Sequence, residues 1–385
     1  MQGPHHPLLD HSRDGLDPLP EGYPEGEGKP LVRVGDGSCD WVVIGADEIR
    51  AILNDTTRFA LNDHRNGPAK HTGGANLLSL DPPHHTRIRR LETQDFTPRR
   101  AREMRPLVEE VVRYCLDDLE QAGPGADLMR RVSFPVTGLV TCAQIGVPRD
   151  DMPELARLIT IRAWGPGMTE TQAGDTYYNY IERLVRLRLR DPSGDGLLCK
   201  LIREHGHELT ETEIIDMMNS LIFAQLEGTA QMLALGVLAL LEHPDQLALL
   251  RADMSLLDQA VEELLRYVSV IPYLSARMAQ EDVPMAGEVI RSGEIVALSV
   301  LGANRALISG TPDDLDITRE RSQHLAFGHG IHFCPGAALA RLELKVELEQ
   351  LLPRFPELRL AVPREEIRVR ETSPQFGIQA MPVAW

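Results

Sequence analysis

Apolar positions recur along this chain with two different periods, and the change of period separates its parts. LVRV (31–34) and WVVI (41–44) are short β-branched runs on either side of a Gly-Asp-Gly turn, which predicts a hairpin. Beyond them a helical period takes over. Leu107, Val108, Val111, Val112, Cys115, Leu116 and Leu119 fall on one helical face. From about Glu211 to Leu241 the chain is apolar almost all round a helix of roughly 45 Å, at about 1.5 Å per residue. Gln225, Glu227 and Gly228 break it in chemistry near the middle, so the expectation is a central buried helix with a polar waist.

Later, Val289 to Val300, with Ser292-Gly293 inside it, reads as a second hairpin, and the terminal IQAMPVAW as another strand. Two Gly- and polar-rich stretches, 62–76 and 165–176, break the helical pattern and predict mobile loops over a pocket. With no internal repeat and no linker, the pattern implies one domain over 1–385 behind an irregular segment at 1–25. The fold class is mainly α with minor β (α+β).

Composition narrows the function. Hydrophobic residues make up 43% and charged residues 25%, enough apolar material for a sizeable core. The formal charge of −17 argues against nucleic acid, which requires clustered cations. One stretch opposes the trend: Arg87, Arg89, Arg90, Arg99, Arg100, Arg102 and Arg105 form either a solvated helix face or a docking patch for an acidic partner. The five cysteines are odd in number and widely spaced, without a C-x-x-C pair, so neither a disulfide framework nor a zinc ribbon is implied. The polar, Pro-rich start has no signal-peptide pattern, and the longest apolar run, Met232 to Leu241, is short for a membrane span. The expectation is a cytoplasmic protein with no membrane attachment.

The most informative segment is Phe327-Gly328-His329-Gly330-Ile331-His332-Phe333-Cys334-Pro335-Gly336. Its glycines let backbone approach a flat cofactor, and Pro335-Gly336 opens a helix with AALARLELKVELEQLL. Cys334 thus falls at a helix N-terminus, where free N–H groups favour a thiolate, and a thiolate can be the axial ligand of haem iron. An ordinary buried cysteine is the plain alternative. Against it, the pattern F-G-x-G-x-H-x-C-x-G should arise by chance on the order of 10⁻⁶ times in such a composition. A zinc site from His332 and Cys334 lacks further ligands at suitable spacing.

On these residues the chain resembles the cytochrome P-450 family, and the resemblance runs end to end. It implies haem b (iron protoporphyrin IX) on Cys334, contacted by Phe327, Gly328, Gly336 and Ala224. Glu263 and Arg266 match the family's E-x-x-R pair, sharing a helix face at i, i+3. His85, Arg89, Arg277 and His332 match the positions that hold the two haem propionates, and they are the cations that buried carboxylates require. A ferredoxin-type electron donor is implied too.

The chain also departs from the family. The long helix usually carries A-G-x-[DE]-T, whereas here it reads Ala224-Gln225-Leu226-Glu227-Gly228-Thr229. The acid stays as Glu227, but Gly228 stands at the alcohol position. Thr229 is one step, about 100°, round the helix. After Asn304-Arg305, Asp314 replaces a usual arginine, implying a rearranged loop beside Glu263 and Arg266, and Pro335 has no N–H to offer the sulfur.

Within the family the chain is similar to the enzymes that cross-link aromatic side chains of glycopeptide-antibiotic precursors. The stretches that carry this are GLDPLPEG (15–22), GVPRDDMPEL (146–155), LALGVLALLEHPDQ (233–246), AFGHGIHFCPGAALARLEL (326–344) and MPVAW (381–385). The likeness implies a monomer acting on a carrier-protein-bound peptide and docking on a nonribosomal peptide synthetase recruitment domain through Pro148, Arg149, Asp150 and Asp151. Asp150 or Asp151 is alternatively a plain helix cap. Glu227, Gln225 and Gly228 are the expected catalytic positions, with the first two managing water and protons. Two alternatives stay open: a monooxygenase hydroxylating or epoxidising a free polyketide or terpene, and a non-catalytic haem-binding accessory protein.

Overall fold

The structure is a computed structural model that describes residues 29–34, 39–61, 77–155, 157–158, 170–320, 323–370 and 375–385. The segments 1–28 and 62–76, and with them the expected irregular start and first loop, lie outside the described residues. The first hairpin forms as read. Strands β1 (Leu31–Arg33) and β2 (Trp41–Val43) pair antiparallel with Leu31 opposite Val43, while its Gly-Asp-Gly turn is not among the described residues.

Helices α1 (Ala46–Asn54) and α2 (His84–Thr93) flank β3 (Phe59–Ala60). Helix α3 (Pro98–Ala122) begins where the Thr97 side chain accepts from Arg100 N and Pro98 needs no partner, and it buries Val108, Val111, Val112, Cys115, Leu116 and Leu119. After β4 (Ala126–Asp127) and a π turn at Met129–Ser133 comes α4 (Phe134–Ile145). Helices α5 (Glu170–Arg190) and α6 (Leu197–His205) lead to α7 (Glu211–Glu242), the long helix the pattern demanded. Thr210 and Glu213 close a capping box at its start. Every residue from Ala230 to Leu240 is buried, which explains why no polar stripe interrupts that stretch. By length and composition α7 could cross a bilayer, but 72% of its most apolar window lies inside the protein.

Next come α8 (Pro244–Ala252), α9 (Leu257–Val268), β5 (Tyr273–Ala279), β6 (Val283–Met285), β7 (Glu288–Ile290), β8 (Ile295–Ser299), α10 (Val300–Ala306), α11 (Ala337–Arg354), β9 (Arg359–Leu360) and β10 (Pro382–Ala384). The largest sheet has the order β1-β2-β8-β5-β3, and β10 lies between β4 and β9 in a second. The terminal strand therefore exists where expected.

Two expectations fail. Residues 289–300 are not a hairpin: β7 pairs with β6 around Ala286-Gly287, whereas β8 joins β2 in parallel and β5 antiparallel. The Ser292-Gly293 turn is real, with Gly293 at φ 90°, but its two strands belong to different sheets. Of the second loop, residues 170–176 lie in α5, because helix hydrogen bonding tolerates a polar face, and 165–169 lie outside the described residues.

Glu263 and Arg266 on α9 form a doubly hydrogen-bonded pair (2.8 Å each), both side chains 0% exposed. The loop beside them closes the network despite Asp314. Arg266 donates to the carbonyls of Pro312 (2.8 Å) and Asp314 (3.0 Å), and Arg319 reaches Glu263 at 3.1 Å. At Glu263 the Arg319 side chain and the Asp316 N–H (3.1 Å) are the donors in place of the expected arginine, so the loop is not left open.

Candidate cofactor site

The cysteine loop is built by backbone constraint. Gly328 and Gly330 both have φ near +69°, a region that favours glycine. A Cβ on Gly330 would stand 2.6 Å from the Leu53 carbonyl of α1, so the loop seats on α1 only with glycine there. Cys334 N donates to Phe327 O at 2.9 Å, closing the loop, and Gly336 N-caps α11. A Cβ on Gly336 would find only the Cys334 sulfur, at 3.9 Å.

Cys334 is neither exposed nor fully buried. Burial pushes its thiol up; the N–H groups of Gly336 and Ala337 and the cations Arg89 and Arg341 oppose this without reversing it. The helix start alone therefore does not make the thiolate, and a bound metal ion would. Although Pro335 offers no N–H, the next two residues do. Arg341 lies 4.5 Å over the Phe327 ring and binds Glu262 (2.5 and 2.8 Å), whose carboxyl falls to about 2 as Arg341 and His324 outweigh burial. Neither Arg341 nor Glu262 was expected, though Arg341, seven residues past Cys334, stands on the motif's own helix.

Beside the loop, four basic side chains converge. Arg89 donates to the Phe333 carbonyl, and the rings of His85 and His332 lie 4.3 Å apart. Burial and the neighbouring arginines lower His85 to about 4; burial, His85 and Arg277 lower His332 to about 3. Arg277, 5% exposed, is lowered to about 10 by burial, with only Asp81 opposing. Neither ring nitrogen of His85 has a hydrogen-bond partner. Two buried guanidiniums beside two imidazoles, one of them with both nitrogens orphaned, call for an acidic hydrogen-bonding partner beyond Asp81. These residues and the cysteine loop beside them fit a group that carries two carboxylates, as iron protoporphyrin IX does.

The waist of α7 divides into faces. Ala224 is exposed in mid-helix, between half-buried Phe223 and Gln225, and so faces open space. Gln225 instead donates to Gln144 of α4 at 2.8 Å, which turns its amide toward α4 and not toward the Ala224 face. Glu227 forms an ion pair with Arg370, both side chains 3% exposed. No spacing rule links Arg370 to Glu227, so nothing in the chain's pattern pointed to it. Gly228 faces Gln375, whose Oε1 would lie 3.6 Å from a Cβ placed there.

The segment from Pro148 to Asp151 is split. Arg149–Asp151 is a 3-10 turn without a side-chain cap. Asp151 accepts from Tyr180 of α5 at 2.7 Å, while Arg149 stacks 5.5 Å over exposed Tyr114 of α3 and Asp150 is exposed. The arginine-rich stretch is largely neutralised within the fold: Arg87 pairs with Glu213, Arg90 with Glu208, Arg99 and Arg100 with Glu103, and Arg105 with Glu109 and Glu349. Among the described residues, no group of three His, Cys, Asp or Glu side chains could hold a metal ion.

Comparison with known proteins agrees with this geometry. The family profile for cytochrome P-450 matches residues 25–161 and 170–383. Cytochrome P-450 monooxygenase PikC of Streptomyces venezuelae is 38% identical over 404 residues, covering 98% of this chain and 94% of its own. OxyE (CYP165D3), involved in teicoplanin biosynthesis, is 39% identical with a TM-score of 0.88 over 97% of this chain and 99% of its own. OxyB from teicoplanin biosynthesis, solved in complex with the X-domain, is 38% identical with a TM-score of 0.87 over 99% and 100%.

Proposed function

Because the chain belongs to the cytochrome P-450 family and is thus a haem b oxidoreductase of the monooxygenase type, we propose that it joins aromatic side chains of a carrier-bound nonribosomal peptide in glycopeptide-antibiotic biosynthesis. The observation that carries the reading is the waist of α7, where the alcohol position is Gly228 and the acid is paired with an arginine. The whole-chain likeness to OxyE, whose own role is in teicoplanin biosynthesis, supports the substrate class.

Cys334 would bind the iron, and His85, Arg89, Arg277 and His332 would hold the two carboxylates; Phe327, Gly328, Gly336 and Ala224 would border the ring. Bound haem b supplies one-electron oxidation driven by dioxygen and electrons from a ferredoxin-type donor. The N–H groups of Gly336 and Ala337 orient and temper the sulfur. Each new ring closure takes one hydrogen from each aromatic partner; with dioxygen, two electrons and two protons, two waters result. A phenol carries its own ionisable hydrogen, so this chemistry leans less on a hydroxyl at residue 228 than insertion of oxygen into an inert carbon does. Glu227 manages protons on that side. Gln225, bonded to Gln144, sets the spacing of α7 against α4.

Arg149, Asp150 and Tyr114 form an exposed platform for a synthetase domain; Asp151, held by Tyr180, fixes the turn beneath it. The complex of OxyB with its X-domain is the precedent for such recruitment. The deciding experiment is turnover of a carrier-bound linear heptapeptide with mass spectrometry of the released product. Loss of two hydrogens per ring is expected; gain of one oxygen instead would reject cross-linking.

A further inference from the structure

The chain's C-terminal part reaches α7 at the level of its polar waist. Arg370 N donates to Gly377 O at 2.9 Å, and Val369 bridges Ile378. Gln231 clamps this strand pair, accepting from Ile378 N at 2.9 Å and donating to Ile378 O at 3.3 Å. A Cβ on Gly377 would stand 2.4 Å from the Gln231 side chain, so glycine permits the close approach. Gln231 lies one turn on from both Glu227 and Gly228, and all three meet this segment: Glu227 through Arg370, Gly228 beside Gln375, and Gln231 through Ile378.

A buried guanidinium is a poor choice for filling space, because an apolar side chain of similar volume packs there without desolvating a charge. Burial lowers Arg370, and Glu227 is the named charge that opposes this. The arginine therefore brings a charge to the one acid on this part of α7. Gln375 places an amide in the space that a side chain on residue 228 would enter.

We propose that Arg370 and Gln375 supply, from the C-terminal segment, the polar function that residue 228 lacks: Arg370 is a positioning residue that holds Glu227, and Gln375 stands in for the missing hydroxyl beside it. Arg370 fixes the Glu227 carboxyl through its Oε1 oxygen, and the carboxyl so held takes a proton from water and passes it on. This rests on Glu227 managing protons. It does not rest on the identity of the peptide substrate.

The test uses holoenzyme with NADPH, ferredoxin and ferredoxin reductase, without peptide, and measures hydrogen peroxide formed per NADPH consumed. Two electrons and two protons take dioxygen to peroxide and four of each take it to two waters, so weaker proton delivery raises the peroxide fraction. Arg370→Gln and Glu227→Gln should each raise it, the double variant should add nothing further, and Arg370→Lys should restore most of the wild-type ratio. Gln375→Leu should produce a smaller rise. As a readout apart from turnover, thermal unfolding should show Arg370→Gln lowering the melting temperature and the added Glu227→Gln recovering much of the loss, since the pair and not either charge is tolerated. If Arg370→Gln lowers the melting temperature but leaves the peroxide ratio unchanged while Glu227→Gln shifts it, the arginine is only structural and the proposal falls. If Glu227→Gln itself leaves the ratio unchanged, the acid's role falls and the proposal with it. The cross-linking reading survives either result, because its own test is the mass of the peptide product.

Discussion

His85 is buried with both ring nitrogens unsatisfied, beside the Arg89 and Arg277 guanidiniums and the His332 ring, so the haem carboxylates should supply the missing partners. Arg277→Met removes a charge-assisted contact of about 1.5–3 kcal/mol, so haem affinity should fall about tenfold to a hundredfold. Haem titration of the cofactor-free protein checks this; unchanged affinity would mean that Arg277 holds only the carbonyls of Ser275 and Ala276. Cys334→Ala should abolish the red-shifted Soret band of the reduced carbon monoxide complex, and a mutant keeping that band would remove Cys334 as ligand. At this scale the cysteine loop was legible because its chemistry dictates local spacing. Arg370, Gln375 and Gln144 were not, because contacts made across the fold leave no periodic mark in the chain.

Among the elements, α9 and its loop show how a motif acquires meaning from packing. Glu263 and Arg266 at i, i+3 are ordinary in a sequence, but here both are fully buried and Arg319 joins them. Glu263→Ala leaves Arg266 inside without a counter-charge, a loss of about 3–5 kcal/mol. Expression with normal haem content and an unchanged melting temperature would contradict that. Helix α7 and the β1–β2 hairpin were readable from hydrophobic period alone. The supposed hairpin at 289–300 was not, since a local turn signal cannot tell which sheet each flanking strand joins. Likewise, α5 begins within a polar stretch whose composition suggested a loop.

At the scale of the whole molecule, three buried carboxyls tie stability to pH. Burial raises Glu92 and Glu347 to about 8 each, and it raises Glu343 well above the usual range, with Glu347 adding to the effect. A folded-state value above the unfolded one means that the native protein holds these protons more tightly. Their contribution is therefore whole below the ordinary carboxyl range and is lost as pH rises toward 8. The melting temperature should decline from pH 5 to 8, and Glu347→Gln should flatten that decline, worth on the order of a few kcal/mol at the alkaline end. An unaltered pH profile in that variant would show the carboxyl to be ionised within the fold.

The recruitment platform also belongs to this scale. Arg149→Ala with Asp150→Ala should weaken binding of a synthetase X-domain in a salt-dependent way while leaving the haem spectrum intact, and undiminished binding would place the docking surface elsewhere. Net charge was legible from composition, but the neutralisation of most arginines between 87 and 105 by partners such as Glu213, Glu208 and Glu349 was visible only in three dimensions.

The docking of the 369–378 strand pair on α7 bears on the order in which the protein is made. Synthesis is vectorial, so α7 and the cysteine loop emerge from the ribosome before Arg370 does, and β10, the middle strand of its sheet, emerges after it. Until then Glu227 on α7 has no Arg370 to pair with, and its carboxyl sits in a groove that the strand pair has yet to close. A chain released at Arg368 is therefore expected to be cut by protease within α7, where the chain that carries residues 369–378 resists it.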